Sequence, residues 1–257
     1  MLTFKNISIA SGIALLSVLA AIYFFGVSYF WIVLIILFWL AFLIWGSSTI
    51  ESGYFIKTFN KGPQNSNKIA LTFDDGPHPM TLPVLELLEK YGAKATFFCI
   101  GMQIEKYPHI FQKIIDNGHT VGNHSYSHSN NFGFFSSKKV KNELDKTDAL
   151  IKKHTGKKPS FFRPPFGVTN LHIKKALHKT KHHTIGWNVR SLDTAIESEA
   201  KILKRIKTSL KPGSIILLHD TSQKTVNVLE QLLIYIKEEN FETVTVNKLI
   251  NLKPYED

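Results

Sequence analysis

The sequence predicts an α/β protein: a closed or nearly closed (β/α) barrel of about seven parallel strands, preceded by an N-terminal two-helix transmembrane hairpin. Three observations predict it. No charged residue occurs from Asn6 to Ile50, a run of 45. Beyond that run, short apolar β-like stretches alternate with amphipathic helical patterns, which implies parallel strands joined by right-handed crossovers. Polar and ionisable residues then fall just after five of the strand candidates, at the carboxyl ends where barrels of this type gather function.

The apolar run is too long for one span. At about 1.5 Å per residue its 45 residues would cover roughly 68 Å as a helix, against a hydrocarbon core of ~30 Å. Two spans fit, at about 7–25 and 30–46, joined by Gly26-Val27-Ser28-Tyr29. Tyr23, Tyr29, Trp31 and Trp45 lie near the expected ends, where aromatic belts form. A cleaved signal peptide is the alternative, but its apolar core is ordinarily ~7–15 residues. Both ends of a hairpin lie on one side of the membrane. Lys5, Lys57, Lys61 and Lys68 flank the spans, so a literal positive-inside count places the tails in the cytoplasm.

Residues 51–67 read as a linker, with Gly53, Gly62-Pro63 and a polar Gln-Asn-Ser-Asn stretch. The main domain is expected over 68–250, with a C-terminal tail at 251–257. Its strand candidates are Ile69–Phe73, Ala95–Ile100, His119–Gly122, Ser160–Arg163, His183–Trp187, Ser214–Leu218 and Thr243–Val246. Helical patterns fill the intervals at about 80–90, 103–117, 137–154, 169–179, 196–210 and 223–239. Leu82, Leu85 and Leu88 show the helical spacing in the first, and Ile202, Ile206 and Leu210 in a later one. No dinucleotide fingerprint or glycine-rich phosphate loop follows any strand.

The net charge of +11 comes from 31 basic and 20 acidic residues. Only Arg163, Arg190 and Arg205 are arginines, and arginine is the residue of bidentate phosphate and base recognition. Nucleic acid is therefore not an expected partner. The lysines spread over helical faces, where they fit a solvated surface or attraction to anionic lipid headgroups or glycans. Cys99 is the only cysteine and sits in an apolar run, so it reads as a buried structural thiol.

The loaded positions have a chemical logic. The first strand ends in Asp74-Asp75-Gly76-Pro77. Adjacent carboxylates leaving a strand point in different directions, so one can bind a metal while the other acts as a base. The third strand runs into His124-Ser125-Tyr126-Ser127-His128, whose two imidazoles can meet one ion. Asp plus two His leaves coordination positions open, a catalytic arrangement that suits a borderline metal such as zinc. Amide hydrolysis further needs a cation to hold the base ionised, for which Arg163 is available, and an acid for the leaving amine, for which His219 is available. Asp193 can pair with His219 and raise its pKa.

At these residues the chain resembles the polysaccharide deacetylases, the NodB-homology or carbohydrate esterase family 4 group, over about 68–250. The motifs stand here as Thr72-Phe73-Asp74-Asp75-Gly76, His124-Ser125-Tyr126-Ser127-His128, Arg163-Pro164-Pro165-Phe166-Gly167 and Leu217-Leu218-His219-Asp220. The resemblance implies Asp74 as base, Asp75, His124 and His128 as metal ligands, Arg163 orienting the base and His219 as acid. It implies a divalent ion, with zinc expected and cobalt or another divalent ion as alternatives. It also implies Asp193 tuning His219, a main-chain N–H of Phe166 on the acetyl oxygen, and substrate contacts from Pro165, Phe166, Trp187 and Leu217. The implied fold is a distorted, usually seven-stranded barrel. One motif departs from the family's Asp-x-x-Asp-Trp: here it is Arg190-Ser191-Leu192-Asp193-Thr194. Arg190 thereby becomes a candidate for facing an anionic group of the substrate.

The expected activity is metal-dependent removal of N-acetyl groups from amino sugars of a polysaccharide or cell-envelope glycan, with membrane lipids contacted through the hairpin. Family habit places the domain outside the cytoplasm, against the literal charge count. The alternatives are a cytoplasm-facing deacylase or deformylase of a lipid-linked amino sugar and, from another class, a non-catalytic glycan-binding membrane protein.

Overall fold

The computed structural model describes residues 2–256. Two helices come first, α1 (Phe4–Phe25) and α2 (Phe30–Ser48). The Thr3 hydroxyl accepts from the Asn6 N–H to start α1, and Gly26 ends it in the left-handed conformation. With 22 and 19 residues, the helices are about 33 and 29 Å long at ~1.5 Å per residue, long and apolar enough to cross a membrane. They lie side by side, and Trp39 Nε1 donates to Ser8 Oγ at 3.1 Å.

The remaining elements are β1 (Thr58–Phe59), β2 (Lys68–Asp74), α3 (Thr81–Lys90), β3 (Ala95–Cys99), α4 (Gly101–Lys106), α5 (Pro108–Asp116), β4 (Thr120–Asn123), α6 (Ser137–Thr155), β5 (Phe161–Phe162), α7 (Leu171–Thr180), β6 (His183–Ile185), β7 (Val189–Arg190), α8 (Glu199–Ser209), β8 (Ile215–His219), α9 (Gln223–Glu238), β9 (Glu242–Thr243) and α10 (Val246–Ile250). The strands form one curled parallel sheet in the order β1-β6-β5-β4-β3-β2-β8-β7, with β9 on β2. This is the distorted (β/α) barrel expected, incompletely closed. Side-chain caps start four of its helices: Ser136, Asn170, Ser198 and Ser222 accept from the N–H groups of Lys139, Ile173, Lys201 and Thr225.

Strand period explains the site. Successive side chains of a strand point to opposite faces. In β2, Ile69, Leu71 and Phe73 pack outward against the helices, in one cluster with Val84, Leu88, Phe97, Leu218 and Leu229. Ala70, Thr72 and Asp74 therefore face the barrel interior. Ala70 joins Phe98, Phe161, Ile185, Ile215, Val246 and Leu249 there. β2 and β8 pair in register, Ala70 with Ile215, Thr72 with Leu217 and Asp74 with His219. The two strands thus deliver an apolar floor and then two ionisable groups side by side.

Four segments differ from expectation. Residues 51–67 carry strand β1, which pairs with β6, and Gly62 donates to the Gly213 carbonyl, so the expected linker is part of the sheet. The pattern at 103–117 divides into α4 and α5 because Pro108 lacks an N–H and restricts Tyr107. The last strand candidate pairs only over Glu242–Thr243. The N–H of Val246 is taken by Thr96 Oγ1, and Val246 opens a helix that plugs the barrel floor. The C-terminal tail is also packed: Tyr255 OH accepts from Val121 N, and Ser160 N donates to the Pro254 carbonyl.

The hairpin meets the domain through close contacts. Thr169 donates from N to the Ser47 carbonyl at 3.0 Å and from Oγ1 to the Gly46 carbonyl at 3.2 Å. Phe4 N donates to the Tyr54 carbonyl. Tyr54 lies so close over Gly46 that a Cβ there would stand 2.2 Å from its ring, so only glycine fits.

Candidate active site

Asp74 ends β2 as the last inward position of the strand, and Asp75 turns away with φ 75°. Their different directions give them different neighbours. Asp74 Oδ1 accepts from Arg163 Nη1 at 2.7 Å. Asp75 Oδ1 lies 3.4 Å from His124 Nε2 and 3.3 Å from His128 Nε2.

Arg163 is completely buried, yet every arm of its guanidinium is used. Nη1 also donates to Thr72 Oγ1, Nε to the Ile185 carbonyl and Nη2 to the Gly186 carbonyl. The group lies 4.1 Å from the Phe98 ring centroid and 5.5 Å from that of Trp187. A charge without water is tolerable only when paired and hydrogen-bonded in this way.

The Asp75, His124 and His128 ligand atoms lie within 4.8 Å of one another. Two details fit a cation there. His124 Nδ1 is 2.7 Å from the Arg163 carbonyl, which can only accept, so Nδ1 carries the proton. Wherever Nε2 is unprotonated, its lone pair faces Asp75 Oδ1, and two acceptors meet unless a proton or a cation lies between them. Asp75 Oδ1 is also buried with no hydrogen-bond partner. A positive ion satisfies all three atoms at once. Burial pushes His128 down to about 4, with the His124 charge adding to it against the two carboxylates, so its imidazole is neutral and able to ligate near pH 7. Burial acts against a charged His124, but Asp74 and Asp75 outweigh it and raise its pKa. The field that favours a proton there also favours a metal ion.

The histidine loop is held from two sides. Glu143 Oε2, on α6, accepts from Tyr126 N, Ser127 N and Ser127 Oγ. At the start of α4, Gly101 N and Met102 N donate to the Ser125 and Tyr126 carbonyls. Behind the loop, Asn123 accepts from Ser125 N and donates to Asp148 Oδ1 at 2.6 Å, which His182 also contacts. The loop needs this support, because Ser125 and His128 both hold positive φ.

Across the cleft from Asp75, His124 and His128, His219 Nδ1 is 2.7 Å from Asp193 Oδ1. Asp193 is buried and fully used: it accepts from His219 N and Thr225 Oγ1 on Oδ2, and from Ser191 Oγ on Oδ1. With Nδ1–H donated to Asp193, Nε2 is left for the cleft. Burial alone would depress the His219 imidazole. The hydrogen bond and charge of Asp193, with Asp74 and Asp75 behind them, raise it instead to about 9.

These groups line a cleft of about 280 Å³, together with Phe166, Gly167, Trp187, Arg190, Leu192, Thr194 and Leu217. The topology thus gathers Asp74, Asp75, His124, His128, His219, Phe166, Trp187, Leu217 and Arg190 around one space. Arg163 and Asp193 sit in its wall. Pro165 is buried beside the cleft and is not among its lining residues.

Sequence reasoning missed Glu143, Asn123, Asp148, Ser191, Thr225 and Asp220. A signal existed for two of them. Glu143 and Asp148 lie on the buried stripe of α6 with Val140, Leu144, Thr147 and Ile151, and a carboxylate on an apolar stripe needs a partner. Asp220 packs under the first motif: Thr81 Oγ1 donates to its Oδ2 at 2.5 Å, and a Cβ at Gly76 would stand 2.3 Å from that oxygen. Burial raises its carboxyl to about 7, against the Thr81 hydrogen bond.

Comparison with known proteins points one way. Residues 61–185 match the family model described as polysaccharide deacetylase. A peptidoglycan-N-acetylglucosamine deacetylase of Bacillus cereus is 34% identical over 74% of this chain and 92% of its own. The peptidoglycan-N-acetylmuramic acid deacetylase PdaC of Bacillus subtilis is 31% identical over 74% of this chain and 40% of its own. Among solved structures, a peptidoglycan N-acetylglucosamine deacetylase bound to 4-naphthalen-1-yl-N-oxidanyl-benzamide superposes with a TM-score of 0.72 and 31% identity, over 77% of this chain and 94% of that one. A carbohydrate esterase family 4 pseudoenzyme from Bacillus anthracis superposes with a TM-score of 0.70 and 28% identity, over 75% and 68%.

Two outcomes follow from this geometry. Replacing Asp193 by Asn removes the anion that holds the His219 proton, so the imidazole loses it at lower pH. The alkaline limb of the pH–rate profile, expected near 9 in the wild type, moves down by more than one unit. An unmoved limb would show that His219 is not the titrating acid. Replacing Glu143 by Ala frees the two loop amides. Zinc affinity, measured by titration against a competing chelator, is expected to fall about 10–100-fold while far-UV circular dichroism stays unchanged.

Proposed function

The chain belongs to the polysaccharide deacetylase family, the carbohydrate esterase family 4 group, and is thereby a hydrolase of amide bonds; from the site we propose that it is a membrane-anchored, metal-dependent N-deacetylase of amino sugars in a cell-envelope glycan. Peptidoglycan is the glycan that the relatives' names suggest. Overall similarity alone cannot carry the activity, because a pseudoenzyme superposes on this chain nearly as well as an enzyme does. The observation that supports it is the convergence of a buried carboxylate base, a three-ligand cluster and a protonated imidazole around one cleft.

Asp75, His124 and His128 would hold the ion, and one carboxylate with two imidazoles suits zinc or a similar divalent metal. When bound, such an ion supplies a Lewis acid for the acetyl carbonyl and makes water more acidic. Asp74 then takes the proton of the attacking water, held and aimed by Arg163. The main-chain N–H of Phe166 assists at the carbonyl oxygen. His219 gives its Nε2 proton to the departing amine, the C–N bond breaks, and acetate and the free amino sugar leave. Leu217 and Trp187 provide the apolar wall that an acetyl methyl requires.

Arg190 bears on the choice of substrate. It stands exposed at the rim of the cleft, 5.9 Å from the Trp187 ring, where it can meet a carboxylate or phosphate of the glycan or of a lipid-linked sugar.

Acetate release by the purified, zinc-loaded protein tests the mechanism. Asp74→Asn and His128→Ala are each expected to lower the rate by roughly 10²–10⁴-fold or more. Equal release by the wild type and both variants would sink it. For specificity, Arg190→Ala is expected to raise KM for glycans carrying an acidic group and to leave kcat unchanged, whereas neutral chito-oligosaccharides keep both constants.

A further inference from the structure

We propose that the face of the domain around Thr169 is a second bilayer contact, with Phe134 and Leu171 seated among lipid headgroups, so that the cleft opens at the membrane surface. The inference rests on reading α1 and α2 as a membrane hairpin and concerns what the domain does beside it. Among the described residues beyond the hairpin, the exposed large apolar side chains are Met102, Phe134, Phe166 and Leu171. Three of these four surround a single point. Thr169 is bonded to the last turn of α2 through the Ser47 and Gly46 carbonyls, and Leu171 follows it by two residues. Asn170 Nδ2 donates to the Gly133 carbonyl at 2.7 Å, which sets Phe134 beside the same junction. Phe166 precedes Thr169 by three residues and lines the cleft.

Phe134 carries the argument furthest. Its ring is 89% exposed, although Phe132 and Phe135 on either side are buried and complete the local core. Nothing inside the protein needs a third phenylalanine there, and a ring held outward in water is unfavourable unless something covers it. The occupant is a bilayer because the patch continues the surface of the hairpin, whose apolar side chains are almost wholly unburied. Lysines mark the same level. Lys5 lies in the first turn of α1, and Lys139 Nζ sits 3.6 Å from the Phe135 ring centroid. Aromatic rings beside lysines match the headgroup layer of an anionic membrane. Several short bonds at the junction hold the domain to the spans, so the cleft has a fixed height. Glycan that lies near the bilayer is then the substrate this cleft meets.

Single-cysteine labelling of the full chain tests this, since the native Cys99 is buried. An environment-sensitive dye is placed by Phe134→Cys, Leu171→Cys, Leu16→Cys or Lys237→Cys. The proteins are reconstituted in phosphatidylglycerol–phosphatidylethanolamine vesicles with and without nitroxide-labelled lipid. Quenching at 134 and 171 is expected to exceed that at 237 several-fold, with 16 quenched most. If 16 is quenched while 134 and 171 match 237, the hairpin reading stands and the second contact is overturned. If 16 itself is unquenched, the hairpin reading falls and the inference falls with it.

Discussion

The buried guanidinium of Arg163 organises both halves of the site. Its side chain ties β2 to β6 through Asp74, Thr72 and the Ile185 and Gly186 carbonyls. Its main-chain carbonyl fixes the tautomer of His124. One residue therefore fixes the position of the Asp74 carboxylate, the proposed base, and the ring orientation of His124, a proposed metal ligand. Removing one member of such a buried pair leaves an uncompensated charge and costs about 3–5 kcal/mol. The arginine is conditional on the fold in turn. Only a barrel that keeps water away, with Phe98 and Trp187 beside the guanidinium, makes its charge so influential.

The second constraint is register. Because β2 and β8 run parallel with Asp74 beside His219, the proposed base and acid reach the same level on the same face. A slip of one residue in either strand would turn its ionisable group towards the helices. The long apolar stretch of β2 resists such a slip, since Ile69, Leu71 and Phe73 must stay among the leucines of α3 and α9. Packing on the outer face thus specifies chemistry on the inner one.

Much of this was legible in the sequence, because it follows from spacing. Strand period and strand ends located Asp74, Asp75, His124, His128, Arg163 and His219, and the charge-free run delimited α1 and α2. The unread portion depends on tertiary pairing. Strands of two residues, such as β1 and β7, have no pattern of their own and exist only through their neighbours. Thr225 and Ser191 look like ordinary capping or loop residues until the fold brings Asp193 between them. Glu143 and Asp148 were visible as misplaced charges on an apolar stripe, but their partners lie across the barrel wall. The strand expected at Thr243–Val246 is cut short for a similar reason: pairing with β2 ends at Val244, and the Val246 N–H bonds instead to the Thr96 hydroxyl.

The barrel floor has a consequence for the order of synthesis. Val244, Val246 and Leu249 complete the interior cluster, so the core closes only after residues up to about 249 have been made. The apolar helices leave the ribosome some two hundred residues earlier. While the domain is still open, its ionisable interior and unpaired strands are exposed. On the reading of α1 and α2 as spans, the side of the bilayer is settled for an unfolded chain, before Asp74, Arg163 or His219 has found its partner.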